Sequence, residues 1–204
     1  MDMNQKYAAR IMMFGLLVLG GCVNLKPQPD RTRFYVLGSD QSVLISDGLP
    51  RSGLVIGMRR LSLAPYLDTP SIVVRRNANE ISFSDLNRWG EDLETGISRA
   101  LSQYLEMSAA ISSVDMVPWP DQVEHDFVLS IQIHRFEGEL PDGTRLLASW
   151  SIHNPDDGRV LKQGSTNQST SGWIAEDYSD LVQKLDAVLQ NLAIELADEL
   201  GMLG

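Results

Sequence analysis

Between Asp126 and Leu200 the hydrophobic period changes once, from two residues to about 3.6, which restricts the chain to folds that lay a helix on a sheet. Phe127, Leu129, Ile131 and Ile133 alternate with Val128, Ser130, Gln132 and His134, predicting a half-buried strand over Asp126 to Phe136. Pro141, Asp142 and Gly143 supply turn chemistry. Arg145 to His153 alternates again, with Leu146, Ala148, Trp150 and Ile152 on one face, before Asn154, Pro155, Asp156, Asp157 and Gly158 reverse the chain. Arg159 to Thr170 completes three antiparallel strands. Leu181, Leu185, Val188, Leu189, Leu192, Leu196 and Leu200 then form one helical stripe opposite Gln183, Asp186, Gln190, Glu195 and Asp198. That polar face is acidic, the reverse of the basic face that suits an anionic membrane, so the stripe is assigned to the core.

The upstream half carries weaker signals of the same kind. Arg33 to Leu37 reads as a first strand and Leu54 to Leu63 as a second. Ser71 to Arg75 and Glu80 to Phe83 read as two strands joined by a turn around Asn77 to Asn79. A helix is predicted to begin between Ser84 and Asp92, because Leu93, Ile97, Ala100, Leu101, Tyr104 and Leu105 recur at helical spacing while Glu94, Arg99 and Gln103 face away. Ile111 to Val117 reads as another strand, ended by Pro118 and Pro120. These elements predict an α/β (α+β) two-layer sandwich: a largely antiparallel mixed sheet with two main helices packed on one face.

At the N-terminus, Lys6 and Arg10 precede the apolar run Ile11 to Leu19, and Gly20 and Gly21 lead into Cys22. A charged segment, a short apolar core and small residues make residues 1–21 a secretory signal peptide. The run is about half the roughly 20 residues a membrane-spanning helix needs. Leu19, Gly20, Gly21 and Cys22 together resemble the lipobox of bacterial lipoproteins. That resemblance implies cleavage between Gly21 and Cys22, a diacylglycerol on the Cys22 thiol and an acyl chain on its new amino group. Cys22 is the only cysteine, so export brings no intramolecular disulfide and acylation accounts for the thiol. Val23 stands where aspartate would favour inner-membrane retention by resemblance to enterobacterial sorting, so the outer membrane, periplasmic face, is the expected address. Residues 22–31 form a lipidated tether with Pro27 and Pro29, and residues 32–204 a single periplasmic domain.

The 204-residue chain has a net charge of -10; loss of Lys6, Arg10 and Asp2 with the signal makes the mature chain -11. Such a chain is poorly matched to nucleic acid or to anionic lipid headgroups. The charge is unevenly placed. Ala100 to Gly204 holds 17 acidic and 5 basic residues, whereas Arg51 to Arg99 holds 7 arginines against 6 carboxylates. An arginine-bearing edge beside an acidic remainder suits a partner or an identical subunit, although a solvated mixed-charge surface is the plainer and preferred reading.

Signs of catalysis are missing. His125, His134 and His153 lack the spacing of a zinc helix, and the one cysteine is assigned to lipid, so no metal site or cofactor is expected. Nucleophile-elbow, P-loop and dinucleotide fingerprints are absent from the sequence. His134 and His153 fall on the polar face of predicted strands, and Asp156 and Asp157 belong to a turn. A non-enzyme is expected.

The most distinctive internal segment runs from Leu61 to Arg75, where Leu63-Ala-Pro65-Tyr66-Leu67-Asp68-Thr69-Pro70 leads into Ser71-Ile-Val-Val-Arg75. With Phe34 to Leu37 upstream and Asn87, Arg88, Trp89, Gly90 and Glu91 downstream, the chain resembles the PqiC/YmbA family of auxiliary lipoproteins over nearly all its mature length. Asp92 stands where members often have proline. The resemblance implies a non-enzymatic component of an intermembrane lipid transport system. It would work with a periplasm-bridging MCE-domain (PqiB-like) protein, and homo-oligomeric rings occur among members. Tyr66, Asp68, Arg75, Arg76 and Trp89 are placed near a partner surface, against the plainer reading that the prolines and Trp89 fix the fold and the arginines are solvated. A scaffold lipoprotein of another envelope-assembly machine and a periplasmic lipid-binding carrier remain alternatives.

Overall fold

The computed structural model describes residues 29–38, 53–141 and 143–204. The segments expected to be the signal peptide, the Gly21–Cys22 cleavage site and most of the tether lie outside the described residues. The folded unit is Thr32–Gly204. Its described strands are β1 (Arg33–Tyr35), β2 (Leu54–Met58), β3 (Ser62–Leu63), β4 (Ser71–Asn77), β5 (Glu80–Trp89), β6 (Ile111–Met116), β7 (Phe127–Glu139), β8 (Gly143–His153) and β9 (Val160–Thr170). Its helices are α1 (Leu93–Leu105) and α2 (Tyr178–Gly201), and Pro65–Leu67 forms one 3-10 turn. The two-layer α+β arrangement predicted from the sequence is the one observed.

β7 organises the sheet. Along one edge it pairs antiparallel with the whole of β8, which pairs antiparallel with β9. Its other edge is shared in succession by β2, β3 and β4, all parallel: Met58 aligns with Leu129, Leu63 with Ile133 and Val74 with Gly138. β5 returns antiparallel to β4, and β1 adds parallel at the margin, with Tyr35 beside Trp89. β6 lies parallel outside β2.

Two upstream boundaries differ from the sequence expectation. Leu54–Leu63 is two strands rather than one, although Arg59 N–H donates to the Leu129 carbonyl and Ala64 N–H to that of Ile133, so the chain still follows β7 across the break. β5 continues to Trp89, past the Phe83 at which the strand was expected to end. β1 is the reason: it aligns with Asn87, Arg88 and Trp89, and Gly90 N–H donates to the Tyr35 carbonyl, so sheet bonds occupy this backbone. α1 follows Asp92 directly.

The core lies between the helices and one sheet face. The α2 stripe of Leu181, Leu185, Val188, Leu189, Leu192, Leu196 and Leu200 is fully buried, and Leu93, Ile97, Ala100, Leu101, Tyr104 and Leu105 bury the matching face of α1. Burying each leucine contributes about 1.5–3 kcal/mol. Asp177 caps α2, its Oδ1 accepting from the N–H groups of Ser179 at 3.1 Å and Asp180 at 3.2 Å. The Tyr104 hydroxyl donates to Asp186 Oδ2 at 2.7 Å and ties α1 to α2; burial first, then this bond, raises the tyrosine pKa.

One irregularity determines what the other sheet face displays. His134 is an extra residue in β7, where Ile133 and Arg135 oppose the consecutive Ala148 and Leu147. Before it, Leu129, Ile131 and Ile133 are the odd-numbered residues turned to the core; after it Phe136 and Gly138 turn there instead. Arg135, Glu137 and Glu139 are thereby delivered to the face opposite the helices.

Candidate docking face of the sheet

The helix-free face is built around Glu137, a carboxylate with 0 % exposure. Arg75 Nε donates to its Oε1 at 2.5 Å and Arg135 Nε donates to the same oxygen at 2.9 Å. The Tyr66 hydroxyl donates to Oε2 at 2.6 Å, with the His134 carbonyl 3.1 Å away. The Arg75 guanidinium also lies 5.9 Å from the centre of the Tyr66 ring. A buried carboxylate is tolerated when hydrogen bonds and opposite charge satisfy it, and these three side chains do so. The ladder extends outward: Arg135 donates to Glu139 at 3.1 Å, Arg145 donates to Glu139 at 3.0 Å, and Arg145 reaches Asn167 at 3.1 Å.

The network shifts its own titrations. Burial, then the bond to Glu137 and its charge, push the Tyr66 hydroxyl up to about 12. Burial alone would lower Arg75, but Glu137 outweighs it and the guanidinium is held more firmly protonated. Burial alone would raise Glu139, but hydrogen bonds from Arg145 and Arg135 outweigh it and hold the carboxyl below its usual range. Arg75 and Tyr66 are therefore committed to an internal contact.

Of the five residues assigned to a partner surface from the sequence, the fold brings Tyr66 and Arg75 together through Glu137. Asp68 is exposed just after the 3-10 turn. Arg76 is exposed at the end of β4, without an ion-pair partner among the described residues. Trp89 does not belong to a surface: it is 6 % exposed, its ring centroid 6.2 Å from that of Phe136, and its backbone N–H donates to the Pro70 carbonyl. The aromatic on the last residue of β5 closes the core, as the plainer reading of the sequence held.

Farther along the same face lies a groove of about 690 Å³. Ser130, Gln132, Ser149, Ser151, Gln163 and Ser165 line it, with Arg59 and Arg60 at its rim. Single-sequence reading placed Ser130 and Gln132 on the polar face of a strand but had no means of pairing these residues across strands. The register supplies that pairing: Ser130 aligns with Ser151, Gln132 with Ser149, and Ser149 with Ser165. His134 Nε2 lies 2.9 Å from Ser149 Oγ, and His153 Nε2 lies 2.8 Å from Ser151 Oγ. Among the described residues no carboxylate hydrogen-bonds either ring, so neither pair has the third group that orients a nucleophile's base. No group of three potential metal ligands occurs among the described residues, and no described helix is long and apolar enough to cross a membrane. The face offers hydrogen-bonding side chains and two rim cations to a polar surface.

Comparison with known proteins gives the family. A crystal structure of a DUF330 protein from Xanthomonas campestris superposes with a TM-score of 0.62 at 16 % identity, covering 81 % of this chain and 90 % of that one. A second crystal structure, of an uncharacterized protein, also gives 0.62, at 13 % identity over 74 % of this chain and 95 % of the other. A PelC dodecamer from Paraburkholderia phytofirmans is more distant, with a TM-score of 0.43 at 15 % identity over 70 % of this chain and 88 % of that one. No curated protein matches the sequence. The family described as "ABC-type transport auxiliary lipoprotein component" matches residues 35–197, from β1 to within the last turns of α2. The resemblance to PqiC/YmbA proteins carried by the Pro65–Pro70 segment and its flanking blocks is thereby borne out, and the chain belongs to the ABC-type transport auxiliary lipoprotein family.

Proposed function

We propose that the protein is acylated at Cys22, resides on the periplasmic face of the outer membrane, and docks a periplasm-spanning MCE-domain protein of an intermembrane lipid transport system. The family supplies the coarse role, an auxiliary lipoprotein component of transport. The observation that carries the finer reading is the division of labour across the sheet. One face is consumed by two helices, and the other presents a polar groove with arginines at its rim. Its serine and glutamine side chains offer hydrogen bonds to a hydrated protein surface. The interior between sheet and helices is filled by fully buried leucines, isoleucines and Phe136, which favours a docking role over a lipid carrier. A homo-oligomeric ring would repeat this face around an axis and multiply its contacts.

The test is crosslinking and pull-down of the full-length lipoprotein from its native envelope beside a Cys22→Ala form, with partners identified by mass spectrometry. Recovery of an MCE-domain protein, lost in Cys22→Ala, supports the proposal. Recovery of an assembly-machine component instead assigns the protein to another envelope scaffold.

A further inference from the structure

Four large apolar side chains stay exposed at one margin of the sheet: Phe34 at 65 %, Phe83 at 49 %, Leu86 at 48 % and Val36 at 45 %. The register fixes where two of them point. Phe34 aligns with Arg88, Arg88 with Ser71, and Phe83 with Val73. On β4, Ser71 and Val73 alternate with Val74, whose partner Gly138 meets Leu181 and Trp173 on the helix side. Phe34, Phe83 and Arg88 therefore share the helix-free face, and Leu86 is exposed between Phe83 and Arg88, where the pairing of β5 with β4 shifts register. Arg33 and Arg88 are exposed, and neither has an ion-pair partner among the described residues. Apolar side chains gathered at one margin beside free arginines mark an interaction surface rather than scattered surface residues.

The chain's own connectivity says what covers it. β1 starts eleven residues after Cys22, a span of at most about 40 Å when fully extended. The margin that carries Phe34 is thus the first part of the folded unit that a lipid anchor on Cys22 holds near its leaflet. Aromatic and aliphatic side chains enter the acyl boundary while guanidinium groups stay at the phosphates, the division that amphipathic surfaces adopt at a bilayer. The acidic bulk of the chain is repelled by an anionic surface, which favours turning the apolar margin with Arg33 and Arg88 inward, against the single carboxylate of Asp85 beside Leu86.

We propose that Phe34, Val36, Phe83 and Leu86, with Arg33 and Arg88, form a second membrane contact that rests on the anionic phospholipid leaflet holding the anchor. The contact rests on acylation of Cys22. It fixes the orientation of the domain, so that the docking groove farther along the same face is presented at a set height and angle above the bilayer instead of swinging on its tether.

The test uses the full-length acylated protein, purified from membranes and reconstituted into vesicles of phosphatidylethanolamine and phosphatidylglycerol. An environment-sensitive bimane label is placed on Leu86→Cys and, separately, on Asp198→Cys, an exposed position of α2. Binding to the bilayer should blue-shift the label at position 86 and spin-labelled lipids should quench it, with the label at 198 unaffected by either. Arg33→Glu with Arg88→Glu should abolish the quenching while the protein still floats with the vesicles. Two unquenched labels on a floating protein overturn the proposal. So does concentration-dependent self-quenching at 86 without lipid quenching, which would assign the margin to a second copy. Failure to float reports the loss of the anchor, and sinks the acylation reading along with the contact that depends on it.

Discussion

Glu137 is the residue whose removal the fold should tolerate least. Its carboxylate holds Arg75, Arg135 and Tyr66 with no exposure of its own, so truncation leaves two guanidinium groups facing each other beneath the surface. Glu137→Ala is expected to cost about 3–5 kcal/mol in urea unfolding, the penalty for breaking one side of a buried ion pair. Tyr66→Phe removes one hydrogen bond and leaves both arginines paired, so about 1 kcal/mol is expected from it. The same hydroxyl makes a pH prediction. Its folded pKa, near 12, lies above the unfolded value of 10, so its contribution is complete below pH 10 and disappears as pH rises through 12. The difference in alkaline stability between the parent and Tyr66→Phe should shrink across that window, and ultraviolet titration should show a tyrosinate signal near pH 12 that Tyr66→Phe lacks. Nothing in the sequence singled out Glu137, because a glutamate at alternate positions with Arg135 and Glu139 reads as a solvated strand face.

At the scale of elements, α2 carries the best-defined predictions because its sequence and structure agree at every position of the stripe. Leu189 is fully buried at its centre, and Leu189→Ala is expected to cost about 2–5 kcal/mol, whereas Asp177→Ala, which removes the N-cap, should cost about 1 kcal/mol by thermal or urea denaturation. Reversal of that order would mean that capping, not packing, holds the helix. The agreement has a physical source: period 3.6 over seven apolar positions leaves no competing assignment. The three long antiparallel strands were legible for the corresponding reason, since turn residues bound each alternating run. The short elements were not. β3 is two residues held wholly by β7, the extension of β5 to Trp89 depends on pairing with β1, and the extra residue at His134 is visible only against Ala148 and Leu147. Each depends on a partner distant in sequence, and local pattern carries no record of that partner. Of the candidate site, Tyr66 and Arg75 were found because a proline-bounded segment drew attention to them. Arg135 and the serine-lined groove were missed because they exist as a surface only once β7, β8 and β9 are in register.

For the whole molecule, the helices close the core on one face of the sheet, and the groove over β7, β8 and β9 opens on the other. If the groove is the docking surface, filling it should abolish capture without unfolding the domain. Gln132 and Ser165 are exposed on its floor, and strands accept aromatic residues readily at such positions. Gln132→Trp with Ser165→Trp should leave the melting temperature within about 3 °C of the parent, since exposed substitutions away from the core usually change stability by no more than about 0.5 kcal/mol each. Crosslinked recovery of the MCE-domain protein should fall at least tenfold in the same strain, with the lipoprotein still fractionating with the outer membrane. Arg76→Glu, at an exposed strand end removed from the groove lining, serves as the comparison. A partner lost only in the Arg76 variant would move the docking surface to the end of β4. A partner lost only in the double tryptophan variant would place it over the central strands, where the register of β7, β8 and β9 gathers side chains that stand apart in the sequence.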